Sequence, residues 1–250
     1  WGTFPSISVA WRASKEQFME SVPAISDLKI RASYGKTGNS EITNFGSLGL
    51  FGSGVAYQLN GALVPSQLSN PDLKWETTTT SEVGLDIGLL KNRLTINAGY
   101  YHKYTNDLLL NATIPATSGF TSVLQNIGEM QNNGFELGIS SENIKGKDFT
   151  WNTSFNITFN KNKVMKIFNG TPTPYGFASW LAEGEELGSF RGYVVEKIFQ
   201  STDEVAAANA AARAKGFANY QVATTAPGDI KFKDLNGDGT VNSADQQVLG

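Results

Sequence analysis

Alternation constrains this chain more than any other feature. Up to residue 160, apolar side chains recur at every second position. Ile7, Val9 and Trp11 alternate with Ser6, Ser8, Ala10 and Arg12, and Leu28, Ile30, Ala32 and Tyr34 with Lys29, Arg31, Ser33 and Gly35. Val83, Leu85 and Ile87 alternate with Glu82, Gly84, Asp86 and Gly88, and Leu94, Ile96, Ala98 and Tyr100 with Thr95, Asn97, Gly99 and Tyr101. Phe135, Leu137 and Ile139 follow the same rule, as do Phe149, Trp151, Phe155, Ile157 and Phe159. A period of two puts each apolar set on one face of an extended strand. Residues 1–160 therefore predict about six strands, each oily on one side and polar on the other.

A soluble β-sandwich alternates in the same way. Three features favour a membrane barrel. The runs Leu94–Tyr104 and Phe149–Asn160 match the ~9–11 residues that a tilted strand needs to cross a bilayer. The polar face is rich in Asn, Thr, Ser and Gly, and only 17% of residues are charged, against roughly 25% in soluble proteins. Aromatic residues gather toward strand ends: Tyr34, Trp75, Tyr100, Tyr101, Tyr104, Phe149 and Trp151. Their amphipathic rings suit the membrane–water interfaces, although aromatics also favour strands in general. No apolar run approaches the ~18–20 residues of a membrane helix; the longest are fragments such as Leu108–Leu110.

Connections alternate too. Leu89–Arg93 reads as a tight turn and Ser141–Asp148 as a short one, whereas 37–75, 105–126 and 161–250 are long and rich in Gly, Asn, Pro and Thr. Short turns at one end and long loops at the other are the outer-membrane pattern, the short ends being periplasmic. The stretch 13–27 departs from this rule, and Trp11–Met19 is expected to carry a short helix. The expected fold is all-β: an antiparallel transmembrane β-barrel segment (a partial barrel) with long extracellular loops and one short loop helix. Residues 1–160 supply its strands and loops, and 161–250 an extracellular loop region. The helix is expected near 202–215. Ser201-x-x-Glu204 forms a capping-box pattern before an Ala-rich run that Gly216 ends. An Ala-rich linker is the alternative.

One motif carries sharp chemistry. Asp234, Asn236 and Asp238 fall at positions 1, 3 and 5 of a twelve-residue calcium loop, with Gly239 at the turn. Thr240 would donate its carbonyl, Asn242 would act directly or through water, and Asp245 would close the shell. Position 12 is Asp rather than Glu, and Asp229–Lys233 alternates like a strand, so a single structural Ca²⁺ site on a loop is expected rather than a full EF-hand. The alternative is an Asx-rich turn satisfied by its own backbone.

Other chemistry is missing. The net charge is −3 with no basic run, which argues against nucleic acid. There is no cysteine, and His102 is the single histidine. Glu183, Glu185 and Glu186 cluster in a loop, where solvated charge outweighs a glycosidase pair. No nucleotide-type glycine loop appears. The chain is not expected to be an enzyme.

Five blocks in order carry a family resemblance: "FPSISVAWRASKEQFM" with "ISDLKIRASYGKTGN"; "NPDLKWETTTTSEVGLDIGLLKNRLTINAGYYHKYTNDLLL"; "SGFTSVLQNIGEMQNNGFELGISSENIKGKDFTWNTSFNITFNKNKV"; "EGEELGSFRGYVVEKIFQS"; and "PGDIKFKDLNGDGTVNSAD". The chain resembles the C-terminal barrel part of SusC/RagA-type TonB-dependent transporters over nearly its whole length. The resemblance implies a 22-strand outer-membrane barrel with a plug. It also implies import of oligosaccharides or peptides, a SusD-like lipoprotein partner, and energy from TonB–ExbB–ExbD acting through an N-terminal part. The chain opens on Trp1 and closes on Gly250 after a loop-like stretch, so a fragment of a longer protein is expected. Tyr57, Tyr175 and Trp180 are weak candidates for stacking on substrate. The alternative reading is a secreted calcium-binding β-sandwich that binds carbohydrate or serves adhesion. In a barrel, Ile96, Ala98, Phe155 and Ile157 face outward and stay exposed; in a sandwich they are sealed against a second sheet.

Overall fold

The structure is a computed structural model that describes residues 2–57 and 60–249, without the side chains of Val55 and Tyr57. Six strands appear where the alternation predicts them, and two more, Leu50–Tyr57 and Asn60–Gln67, form inside the stretch 37–75 that reads as a loop. They are β1 (Ser6–Trp11), β2 (Ile25–Asn39), β3 (Leu50–Tyr57), β4 (Asn60–Gln67), β5 (Glu76–Leu89), β6 (Leu94–Thr113), β7 (Ser122–Lys145) and β8 (Thr150–Lys166). Six of them form one antiparallel sheet in the order β1-β2-β5-β6-β7-β8, and β3 and β4 pair as a separate hairpin.

Neighbouring strands are joined by antiparallel pairing, so residues opposite one another share a face. One row reads Val9, Ala32, Val83, Tyr100, Phe135 and Phe159. The next reads Trp11, Ile30, Leu85, Ala98, Leu137 and Ile157, and the one below it Leu28, Ile87, Ile96, Ile139 and Phe155. Alternation within each strand thus becomes three continuous oily rows across the sheet.

Short connections gather at one end. The turn after β5 places Leu90, Lys91 and Asn92 in left-handed backbone, with φ of 52°, 59° and 63°. The Ser26 hydroxyl accepts from the amides of Lys91 (2.6 Å) and Asn92 (3.3 Å) and holds this costly geometry. The stretch after β1 contains two 3₁₀ turns, Ala13–Lys15 and Gln17–Met19, in place of one helix.

The other end differs from expectation. Most of the long loop at 105–126 is strand, because β6 and β7 continue to Thr113 and from Ser122. A register shift between Thr105 and Leu108, with Asp107 at φ 57°, absorbs the consecutive leucines that break the alternation. The stretch 37–75 contains the β3–β4 hairpin.

The chain divides into two compact units, residues 1–171 with 182–186, and residues 172–181 with 187–250. In the second unit, β9 (Thr173–Pro174), β10 (Ser179–Leu181), β11 (Ser189–Tyr193) and β14 (Gln246–Val248) form a small sheet, and β12 (Val195–Ile198) pairs with β13 (Ile230–Phe232). Helix α1 (Thr202–Ala214) starts as its capping pattern predicts. The Ser201 hydroxyl accepts from the Glu204 amide (3.3 Å), and the Glu204 carboxylate accepts from the Gln200 amide (2.8 Å). The Gln200 amide and then Lys197 hold the Glu204 carboxyl below its ordinary pKa. Phe199 and Ala212 are buried and anchor this unit's small core.

Candidate functional site: a two-faced sheet

Within the first unit, the described residues of the oily rows are exposed or half-exposed. Val9 is 63% exposed, Val83 58%, Tyr100 52% and Phe159 59%. Of the four residues chosen to separate barrel from sandwich, Phe155 is exposed and Ile96, Ala98 and Ile157 are half-exposed; none is buried. A sandwich core of such residues would be sealed. A contiguous apolar surface of this extent marks contact with lipid or protein. The band is bounded by a polar outer row at Ser81, His102, Asn133 and Lys161. From Leu94 to His102 a strand rises about 27 Å. At a tilt of roughly 40° this spans about 21 Å, close to the ~25 Å apolar band of an outer-membrane barrel.

The opposite face is polar and charged. Arg31 bonds Glu82 at 2.5 Å and lies 3.6 Å from Asp86, Lys29 lies 3.3 Å from Asp86, and Asn97 donates to Asp86 at 3.0 Å. This network follows from the sequence parity, since all five residues occupy polar positions on the neighbouring strands β2, β5 and β6. Two glycines make room for long side chains on this face. A Cβ at Gly84 would lie 2.4 Å from Arg31 Nε, and one at Gly134 would lie 2.2 Å from Tyr101 Cζ. The long side chains therefore lie flat across the sheet, and the Tyr101 hydroxyl reaches Asn160 at 3.3 Å. Tyr101 consequently belongs to this polar face and not to an interfacial girdle; its odd position sets it opposite Tyr100. Tyr104 lies beyond the oily band and donates to Glu129. His102 bonds Asn133 at 2.6 Å.

The loop candidates fall in different places. Tyr57 ends β3 and its side chain lies outside the described residues. In the second unit, Tyr175 is exposed beside the β9–β10 hairpin, and Trp180 is half-buried with the Arg191 guanidinium 5.0 Å from its ring.

Within the second unit, residues 234–245 form a compact loop closed by its own amides. Asp234 accepts from the amides of Gly237 (2.7 Å) and Gly239 (2.8 Å), Asn236 from Asp238 (2.8 Å), and Asp238 from Thr240 (2.9 Å). Asn242 accepts from Ala244 (2.8 Å). Asp245 is fully buried and accepts from the amides of Leu235, Asn236 and Asn242. Its burial raises the carboxyl pKa, but those three donors outweigh the burial and hold it below the ordinary value. The Thr240 hydroxyl donates to the carbonyls of Asn219 and Tyr220, and Lys215 clamps the Gly237 carbonyl at 2.8 Å. Among the described residues, no three Asp, Glu, His or Cys side chains converge as a metal-holding group. The donor types suit calcium, while their present partners are amides.

No helix among the described residues is long and apolar enough to cross a membrane, which leaves crossing by strands open. Residues 1–238 match the family model for TonB dependent receptor-like β-barrels. A TonB-dependent receptor of Formosa agariphila is 36% identical over 274 residues, covering 100% of this chain and 26% of the relative. TonB-dependent receptor SusC of Bacteroides thetaiotaomicron is 34% identical over 259 residues, covering 99% of this chain and 24% of the relative. The chain thus spans about a quarter of the length of these relatives. Among solved structures, the RagAB peptide transporter superposes with a TM-score of 0.71 at 30% identity, over 78% of this chain and 22% of that one.

Proposed function

We propose, because this chain belongs to the TonB-dependent receptor-like β-barrel family, that it forms part of the wall of an outer-membrane nutrient-import channel. The family is one of receptors and transporters rather than enzymes, and its place is the bacterial outer membrane. The observation that carries the proposal is the two-faced sheet. Its three oily rows are exposed or half-exposed and meet lipid, while its charged and amide-rich rows face water in the lumen. Each inner strand of the sheet is paired on both sides, as a bilayer demands of every backbone polar group in the wall.

In the whole protein the cargo is an oligosaccharide or a peptide. A SusD-like lipoprotein covers the outer mouth, and TonB–ExbB–ExbD supplies the energy through a separate part of the protein. Support comes from the SusC relative and from the RagAB peptide transporter, with similarity running along nearly the whole chain in the first case. A deletion of the full-length gene tests the reading. Uptake of its oligosaccharide or peptide cargo falls in the deletion strain and returns with the intact gene; unchanged uptake of both classes overturns it.

The loop Asp234–Asp245 is a structural calcium site in this reading. Asp234, Asn236, Asp238, Asn242 and Asp245 would supply side-chain oxygens and Thr240 its carbonyl. Each carboxylate oxygen that accepts one amide keeps a second lone pair for a cation. Calorimetric titration with Ca²⁺ tests this. Saturable binding at or below about 10⁻³ M supports the site, and its absence leaves a self-satisfied Asx turn.

A further inference from the structure

At the loop end of the six-stranded sheet, beyond the His102 row, the first unit holds an open pocket of about 430 Å³. That lies within the size range of small-molecule sites. Its walls come from the loop after β2, the end of β4, the start of β5 and the outer ends of β6 and β7. Three amide side chains fix these walls. Gln67 donates to the carbonyls of Phe45 (3.1 Å), Gly46 (3.0 Å) and Leu48 (2.8 Å). Asn70 donates to Leu124 O at 2.8 Å, and Asn126 grips Lys74 and Asp107. The space is preformed, which spares a ligand the cost of ordering loops.

Its charge is one-sided. Glu41 and Glu76 are the titratable groups of the lining, and no Lys, Arg or His lines the pocket. Neither carboxylate has an ion-pair partner among the described residues. Glu76 is held in place by Asn39 (2.9 Å) and the Leu109 amide (3.0 Å), each of which occupies one of its oxygens once. The Thr43, Ser66, Asn111 and Ser122 side chains add neutral hydrogen-bonding groups, and no aromatic ring lines the space. Sugar rings would find hydroxyl partners there but no stacking platform. A compact cation that donates several hydrogen bonds would find two uncompensated carboxylates, and charge-assisted bonds are the strong ones.

We infer that this pocket is a cargo subsite for an ammonium group, such as the amino terminus or a lysine side chain of a peptide. The inference rests on the import reading and narrows its cargo from oligosaccharide or peptide to the amine-bearing class. The test uses the full-length transporter in detergent. It is titrated calorimetrically with a short lysine-containing peptide, the same peptide acetylated at both amines, and a neutral oligosaccharide. The free-amine peptide binds best, and Glu41→Gln and Glu76→Gln each weaken it about tenfold, toward the level of the acetylated peptide. Glu41→Gln is the cleaner variant, because that carboxylate makes no ion pair while Glu76 also braces β6. The subsite is overturned if the acetylated peptide binds as well as the free one, if neither peptide binds, or if Glu41→Gln changes affinity less than about twofold. Loss of uptake on gene deletion together with equal binding of both peptides removes the subsite and leaves the channel standing. Unchanged uptake on deletion removes the channel itself.

Discussion

Ile157 and Thr158 are consecutive in β8 and point to opposite faces. Ile157 lies in the middle oily row with Leu137 and Ala98, four residues from both Leu94 and His102 along the register, so it sits near the centre of the band. Arginine there must leave its charge in hydrocarbon or drag water inward, which costs about 2–4 kcal/mol at a bilayer midplane. That is roughly thirty- to several-hundredfold in the folding equilibrium. Thr158 pairs with Glu136 on the polar face, so arginine there gains a carboxylate neighbour and changes stability by about 0.5 kcal/mol or less. The assay is reversible denaturant unfolding of the full-length barrel in phosphatidylcholine vesicles, followed by tryptophan emission. Ile157→Arg lowers stability by the larger figure and Thr158→Arg hardly at all. Equal costs at the two sites, or a harmless Ile157→Arg, would refute the assignment of the faces.

Three further outcomes are expected. Ser201→Ala removes the hydroxyl that caps helix α1 and costs that helix about 1 kcal/mol, read as faster amide exchange over residues 202–214 with the sheet unchanged. Asp245 has its pKa depressed in the folded loop, so its contribution is complete above the ordinary carboxyl value of 3.8 and is lost as pH falls through the lower folded value. Amide protection at Leu235, Asn236 and Asn242 therefore fades as the pH falls below the ordinary carboxyl value, and a flat profile would contradict it. Gly134→Leu cannot coexist with the Tyr101 ring over the same spot. The phenol swings off the wall and loses Asn160, which a pair of crystal structures or Tyr101 fluorination shifts would show.

Sequence legibility differed by feature for physical reasons. The six strands of the sheet and the parity of their faces were readable, because one face meets an apolar phase and every second residue records it. The ends of the strands were not. Leu108–Leu110 carries no alternation, and a register shift lets β6 run on through it. Thr37–Asn39 falls in a stretch that reads as a loop yet is strand, because Glu76–Thr78 pair with it. The β3–β4 hairpin went unseen in a loop rich in glycine. Helix α1 was legible from two capping residues, Ser201 and Glu204. The calcium-type loop was legible as a pattern of oxygens, whereas its partners depend on which amides the folded backbone presents. The Arg31–Glu82–Asp86–Lys29 network and the pocket at Glu41 and Glu76 join residues far apart in the chain, so only the register brings them together.

The wall assignment meets its most direct test in spin-label scanning of β6 from Thr95 to Tyr101, which is possible because this segment contains no cysteine. Labels at Ile96, Ala98 and Tyr100 in the bilayer-embedded full-length protein should relax strongly with oxygen and weakly with a water-soluble nickel complex. Labels at Thr95, Asn97, Gly99 and Tyr101 should show much lower oxygen accessibility, out of phase by one residue. Accessibility that does not alternate, or that favours the nickel complex at Ala98, would contradict a strand with one side in lipid.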